Sequence, residues 1–193
     1  MDPVFTLQWP EYIVAERLRK HFSPKDGYSI LIPMSRQEKG FDLAIVYRNT
    51  RTKKPSVVTI QVKASRAYLS SPPKRKKTIK YKYSTWFNCF EVSDRADFFI
   101  LIGMYPPDLS RTRKVSAKWY QDCSLLFTNK EMKHFMTNCK TVRGKPDRMF
   151  GFRFDDMKTI VLTRGDMTRS RKDYTDFLLA KRFYLIKDKM SKI

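Results

Sequence analysis

The sequence has little cysteine, little glycine and few acidic residues, and each shortage excludes a class of protein. Its 193 residues include three cysteines and six glycines, and 19 acidic residues stand against 40 basic ones. Cys89, Cys123 and Cys139 are odd in number and widely spaced. This spacing argues against a disulfide framework and against a zinc site. The few glycines form neither a P-loop nor a Gly-x-Gly-x-x-Gly motif, so we expect no nucleotide cofactor.

Long apolar runs are also missing. The longest, Phe98 to Tyr105, is far shorter than the ~20 residues that a membrane-spanning helix needs. The first residues, Met1 to Val4, lack the charged and apolar regions of a secretory signal peptide. We therefore expect a cytoplasmic protein with no signal peptide and no membrane partner, and the cysteine usage is compatible with a reducing compartment.

The excess of positive charge indicates a polyanionic partner. The formal net charge is +21, while hydrophobic residues make up 41% of the chain, enough for a packed core. Such a charge destabilises a compact domain by self-repulsion unless a partner neutralises it. No segment apart from the C-terminal one has the pattern of a basic amphipathic membrane helix, so nucleic acid is the favoured partner. The length predicts a single domain, residues 1–193.

The hydrophobic pattern alternates between helix and strand periods, which predicts an α/β or α+β fold. We expect helices over 10–22, from the capping box Thr128–Glu131 to about 138, and over about 173–189. The expected strands are 28–32, 41–47, 56–64, 81–90, 97–104, 149–154 and 159–163. The segment 48–55 has the composition of a hairpin loop, and 70–80 that of a basic loop.

Polar residues on the second and third expected strands form a candidate site. The strand period of two puts the apolar residues of Val58–Val62 on one face, and Gln61 and Lys63 on the other. Asp42 begins the preceding apolar strand. If the two strands pair as a hairpin, Asp42 lies near Gln61 and Lys63.

The first helix supplies a further carboxylate. Glu11 shares a stripe with Val14 and Leu18, so it faces the core. Glu16 is rotated by about 140° from Glu11 and should face outward. An inward carboxylate must be paired, protonated or bound to a metal. Glu16 is the alternative if the helix is rotated, and a first-turn carboxylate stabilised by the helix dipole is the simpler interpretation of Glu11.

These residues together resemble the PD-(D/E)xK nuclease superfamily, whose fold is restriction-endonuclease-like. The resemblance covers residues 10–66 and depends on Glu11, Asp42 and the Gln61-Val62-Lys63 motif. It implies a central mixed β-sheet flanked by helices. The sequence departs from the common pattern where Lys39-Gly40-Phe41 replaces a proline before the Asp, and where Gln61 replaces an Asp or Glu. The glutamine occurs in a subset of such enzymes.

The resemblance implies a Mg²⁺-dependent DNA endonuclease, with Mn²⁺ expected to substitute. Asp42 and the Val62 carbonyl would bind the ion, Gln61 would add a neutral oxygen, and Glu11 would restore negative charge directly or through water. Lys63 would orient or deprotonate the attacking water. The products would carry 5′-phosphate ends. We expect a type II restriction endonuclease of a prokaryotic cytoplasm that cuts double-stranded DNA as a homodimer.

Other residues are candidates for DNA contacts through the phosphates or the base edges. They are Ser65, Arg66, Lys74, Arg75, Lys76, Lys77, Trp86 and Asn88. For Trp86 and Asn88 the simpler interpretation is a core tryptophan and a strand end. For Ser65 and Arg66 an equal alternative is the start of a loop.

Three other functions stay open from the sequence. One is a Holliday junction-resolving or repair nuclease on the same fold. Another is a catalytically impaired DNA-binding protein of this fold, in which Gln61 marks a decayed site. The third is a basic RNA-associated protein that needs no metal.

Overall fold

The chain forms an α+β fold in which one helix precedes the strands, one lies among them and one follows them. The computed structural model describes residues 9–33, 40–48, 54–69, 81–105, 121–141, 143–155, 159–165 and 172–192. Its helices are α1 (Trp9–Arg19), α2 (Asn129–Thr137) and α3 (Leu179–Ser191). Its strands are β1 (Tyr28–Leu31), β2 (Leu43–Arg48), β3 (Pro55–Leu69), β4 (Tyr83–Asn88), β5 (Phe98–Tyr105), β6 (Gln121–Thr128), β7 (Met149–Asp155) and β8 (Thr159–Arg164).

The eight strands form a mixed sheet with two halves that share β3. In the first half the order is β1-β2-β3-β5-β6, and in the second it is β3-β4-β7-β8. The 15 residues of β3 allow both, because its start pairs with β2 and its last residues pair with β4. Strand β5 runs parallel to β3, and the other pairings are antiparallel.

Two apolar clusters join the helices to the sheet and the two halves of the sheet to each other. One face of β2, β3 and β5 packs against α1 and α3. The other face of β5, together with β6, packs against β4, β7, β8 and α2. Strand β5 is therefore buried on both faces, which explains its nearly continuous apolar sequence. The two halves approach closely at Gly103, where a Cβ would lie 2.4 Å from the Thr85 methyl carbon.

The α+β class and the β2–β3 hairpin are confirmed, and two boundaries differ from the prediction by five residues or more. Strand β3 continues to Leu69, five residues beyond the predicted end. The last helix begins at Leu179 instead of about 173. Asp173 accepts hydrogen bonds from the N–H and the hydroxyl of Thr175. The Tyr174 N–H donates to the Ile160 carbonyl at 2.7 Å, so residues 173 and 174 pair with β8 and are not helical.

Strand β6 was not predicted from the sequence. Its residues Asp122 and Ser124 are polar but only 5% and 4% exposed, so the strand lacks an alternating pattern. Asp122 is paired with Arg17 of α1 and accepts the Ser124 hydroxyl at 2.8 Å. Among the described residues, no helix has both the length and the apolar character that crossing a membrane requires.

Candidate active site

Asp42 lies in the plane of the sheet, just before β2. Gly40 precedes it with φ +108°, and a Cβ there would lie 2.5 Å from Ser93 Oγ, so this close approach requires glycine. The Asp42 N–H donates to the Ile60 carbonyl at 2.8 Å. Its carboxylate accepts the Val62 N–H at 2.7 Å. Asp42 is therefore fixed at both its backbone and its side chain to the strand that carries the Gln61-Val62-Lys63 motif.

The Val62 carbonyl faces the same edge. The N–H and C=O groups of a strand residue point to the same side of the strand. Because the Val62 N–H binds Asp42, the Val62 carbonyl oxygen is directed to the gap beyond the start of β2. The Val62 side chain is 5% exposed and packs in the core beneath α1 and α3, which fixes this part of β3. The predicted pair of oxygen ligands thus lies on one edge.

The Asp42 carboxylate has little compensation for its charge. Burial raises its pKa above the ordinary value of 3.8, and the Val62 N–H and the nearby Lys63 ammonium oppose this rise only in part. A buried carboxylate of this kind gains free energy from a cation placed beside it. The electrostatics therefore favour a bound metal ion or a further positive group.

Gln61 places a third oxygen atom next to Asp42. The register pairs Leu43 with Ile60, which places Asp42 opposite Gln61 on the neighbouring strand. The Gln61 Oε1 atom is buried and has no hydrogen-bond partner among the described residues. A buried acceptor without a donor costs about 1–3 kcal/mol, so such an atom is a candidate ligand for an ion.

Lys63 completes this side of the site. It projects from the same face as Gln61, two residues further along β3. Its ammonium lies 5.1 Å from the centre of the Phe90 ring, which stacks on Phe99. The aromatic ring stabilises the cation and holds it beside the sheet edge.

Glu11 approaches from the other face. It is 8% exposed in the first turn of α1, whereas Glu16 is exposed, as the helical stripe predicts. Helix α1 packs on the face formed by Val58 and Ile60, opposite to Gln61. Asp42, Gln61 and Lys63 are thus brought together, while Glu11 lies on the α1 side of the same strands.

Sequence reasoning did not identify Asp97, a second carboxylate that binds β3. Its Oδ2 accepts the Thr59 N–H at 3.0 Å and the Thr59 hydroxyl at 3.2 Å, and its other oxygen lies 3.3 Å from Lys189. Thr59 and Val62 present their N–H groups to opposite edges of β3, because their positions differ in parity. Asp97 therefore clamps β3 to β5 and α3 away from Asp42. Its position before an apolar strand, like that of Asp42, is the signal in the sequence.

The predicted DNA contacts fall into different environments. Ser65 is 9% exposed, and its hydroxyl donates to the Arg66 carbonyl at 2.7 Å and accepts the Trp86 N–H at 3.1 Å, which argues against a phosphate contact. Arg66 and Asn88 are exposed, and Trp86 is half-buried. The basic residues Lys74, Arg75, Lys76 and Lys77 lie outside the described part of the chain.

Arg66 and Trp86 belong to a larger surface that we call the outer face, formed with Tyr68 and Arg153. Tyr68 of β3 pairs with Ser84 of β4, which in turn pairs with Arg153 of β7. The same antiparallel register places Arg66 of β3 opposite Trp86 of β4. These positions point away from the apolar cluster beneath them, and Tyr68 is 53% exposed. Tyr68 was missed in the sequence because the extension of β3 to Leu69 was not predicted. Arg153 was missed because the pairing of β7 with β4 places it there, and no local pattern contains that pairing.

Comparison with protein-family models, curated proteins and solved structures gives no match for this chain. Within the described ranges, no group of three or more Asp, Glu, His and Cys side chains could hold a metal ion. The donor set at Asp42 differs from such a group, since it combines one carboxylate with a backbone carbonyl and an amide oxygen. All of these are oxygen ligands of the kind that Mg²⁺ prefers.

Proposed function

We propose that the protein is a Mg²⁺-dependent DNA endonuclease with a restriction-endonuclease-like core. The observation that supports this most is the Asp42 carboxylate bound to the Val62 N–H at 2.7 Å, opposite Gln61 and near Lys63. The arrangement combines one partly compensated carboxylate, two neutral oxygens and one ammonium group. This is the composition needed to hold a divalent ion beside a phosphodiester.

The residues divide the work as follows. Asp42 and the Val62 carbonyl would hold Mg²⁺, with the Gln61 amide oxygen as a neutral ligand and Glu11 acting directly or through water. A bound Mg²⁺ supplies a water of lowered pKa and a clamp on the phosphate oxygens. The Lys63 ammonium orients the attacking water and balances the charge that develops on the phosphate. The expected products carry 5′-phosphate and 3′-hydroxyl ends.

The charge and the outer face support DNA as the substrate. The net charge of +21 suits a polyanion, and Arg66 and Arg153 flank Tyr68 and Trp86 on one surface. One site per chain cuts one strand, so a double-strand break needs two copies. We therefore propose a homodimer with two-fold symmetry, and a type II restriction endonuclease as the most specific description.

The test is the cleavage of supercoiled plasmid in Mg²⁺, with EDTA as the blank. The wild-type chain and the Asp97→Asn variant should nick the plasmid, whereas Asp42→Asn and Lys63→Ala should not. Asp97 is the matched control because its carboxylate also binds a β3 N–H but at the other edge. Cleavage that persists in both Asp42→Asn and Lys63→Ala would refute this site.

A second candidate is a nucleic-acid-binding protein of the same fold that does not cleave. The neutral Gln61 favours this alternative, because the common pattern of the superfamily that the sequence resembles has a carboxylate at that position. It predicts salt-sensitive DNA binding without turnover in Mg²⁺ or Mn²⁺. The plasmid assay, combined with a binding assay on the same preparation, distinguishes the two.

A further inference from the structure

Two of the three cysteines meet in space although 50 positions separate them. The sulfur atoms of Cys89 and Cys139 lie 3.1 Å apart. Cys89 follows β4 directly, and its N–H donates to the Arg148 carbonyl at 2.9 Å. Cys139 follows α2, and its carbonyl accepts the Asp147 N–H at 3.0 Å. Backbone hydrogen bonds therefore hold both residues, and an approach of about 1 Å would bring the sulfurs to the ~2.05 Å of a disulfide bond.

The two thiols differ in a way that orders their chemistry. Cys89 is half-buried, whereas Cys139 is 4% exposed. Burial and the adjacent Cys89 raise the pKa of Cys139 to about 12. The more accessible Cys89 is thus the thiol that a reagent in solution meets first, and Cys139 is placed to react with the sulfur of Cys89 afterwards.

We propose that Cys89 and Cys139 form a reversible disulfide by exchange with a small-molecule disulfide of the glutathione type. Cys89 gives up its proton, and its thiolate attacks one sulfur of the reagent. The S–S bond of the reagent breaks, and one small thiolate leaves and takes up a proton to become a thiol. Cys139 then attacks the Cys89 sulfur of the mixed disulfide, passes its proton to the second leaving thiolate, and forms the Cys89–Cys139 bond. The protein is oxidised by two electrons, and the reagent is reduced to two thiols.

The bond would restrain a segment that also supports the candidate active site. Cys89 precedes Phe90, whose ring lies under the Lys63 ammonium. The bond would also close a loop of about 50 residues, which removes conformational freedom from the unfolded chain. We expect the melting temperature to rise by roughly 5 °C or more. None of this depends on whether the protein cleaves DNA.

The test is treatment of the full chain with oxidised glutathione, followed by peptide mapping and melting. Wild type and Cys123→Ser should yield a peptide joined through Cys89 and Cys139, the loss of two hydrogens in the intact mass, and the higher melting temperature. Cys123 is a matched control, since it is a third thiol, 5% exposed, outside the pair.

The single variants show the order of the steps. Cys139→Ser should stop at a mixed disulfide on Cys89, which dithiothreitol reverses, and Cys89→Ser should remain unmodified at Cys139. The proposal is overturned if Cys139→Ser takes up glutathione while wild type and Cys123→Ser give no joined peptide. It is also overturned if Cys89 does not react in any variant.

Discussion

At the scale of single residues, two aspartates bind the same strand in different electrostatic environments. Asp97 shares its charge with Lys189 at 3.3 Å. Asp42 has a raised pKa because burial outweighs the help from the Val62 N–H and Lys63. The same contact of a carboxylate with a backbone N–H is thus balanced by a nearby ammonium at Asp97, whereas at Asp42 burial outweighs the groups that favour its charge.

The first prediction concerns the charge of Asp42. Asp42→Asn keeps an oxygen for the Val62 N–H and removes the negative charge, so the fold should persist while plasmid nicking falls by about 100-fold or more. Changes to groups that only support a metal ligand cost 10–100-fold, and a direct ligand should cost at least as much. Initial nicking rates check this. Asp97→Asn should lose about 1 kcal/mol of unfolding free energy and keep its nicking rate.

The raised pKa of Asp42 also predicts a pH dependence of stability. A carboxyl group with a pKa higher in the folded chain than in the unfolded chain stabilises the fold below the unfolded pKa. That contribution is lost as the pH rises through the folded pKa. The melting temperature of Asp42→Asn minus that of wild type should therefore be larger at neutral pH than below pH 3.8, the ordinary pKa of an aspartate. Melting curves across this range check the sign, and an opposite trend would contradict the assigned environment.

A substitution at Gln61 tests the site through a gain of stabilisation by Mg²⁺. Gln61→Glu places a negative charge at a buried position whose oxygen has no hydrogen-bond partner among the described residues. Without metal, the variant should melt several degrees below wild type, since an uncompensated buried charge is costly. Added Mg²⁺ should reverse the loss, because an ion that binds only the folded state stabilises it. A melting temperature that Mg²⁺ leaves unchanged would place Gln61 outside the site.

At the scale of elements, the sequence predicts what local periodicity and capping encode. The alternation of β3 and the apolar stripe of α1 predict the hairpin, the buried Glu11 and the proximity of Asp42 to Gln61. Strand β6 escaped prediction because its buried Asp122 is satisfied by Arg17, more than 100 positions away. The contact of Cys89 with Cys139 and the role of Asp97 likewise depend on tertiary packing that no local pattern contains.

The capping box of α2 gives a prediction at this scale. The Glu131 carboxylate accepts the Thr128 N–H at 2.8 Å and lies 2.6 Å from Arg182 of α3, whose guanidinium also donates to the Leu126 carbonyl at 2.7 Å. Glu131→Ala should cost about 2–3 kcal/mol of unfolding free energy, because it removes a cap and leaves Arg182 without its carboxylate. Urea unfolding measures this.

The control is Lys133→Ala in the same helix. Lys133 pairs with Asp94, and both side chains are exposed, so its loss should cost at most about 0.5 kcal/mol. Equal losses in the two variants would show that α2 does not depend on its cap and on α3.

At the scale of the whole molecule, the net charge of +21 predicts that any affinity for DNA depends strongly on salt. The logarithm of the binding constant should fall linearly with the logarithm of salt concentration, by about 0.9 for each phosphate contact. Arg66→Ala should weaken binding to all DNA sequences alike and reduce this slope by about 1. Fluorescence titrations over a range of salt measure it. Lys181→Ala, whose ammonium lies 3.0 Å from Asp176, is the control that should leave the slope unchanged.

The most direct test of the central claim is a crystal structure of the chain with Mn²⁺, located by its anomalous scattering. We predict one ion at about 2.0–2.6 Å from both the Asp42 carboxylate and the Val62 carbonyl, with the Gln61 amide oxygen turned towards it. The account would be contradicted by an ion bound elsewhere. It would also be contradicted by a crystal at saturating Mn²⁺ concentration that has no anomalous density beside Asp42.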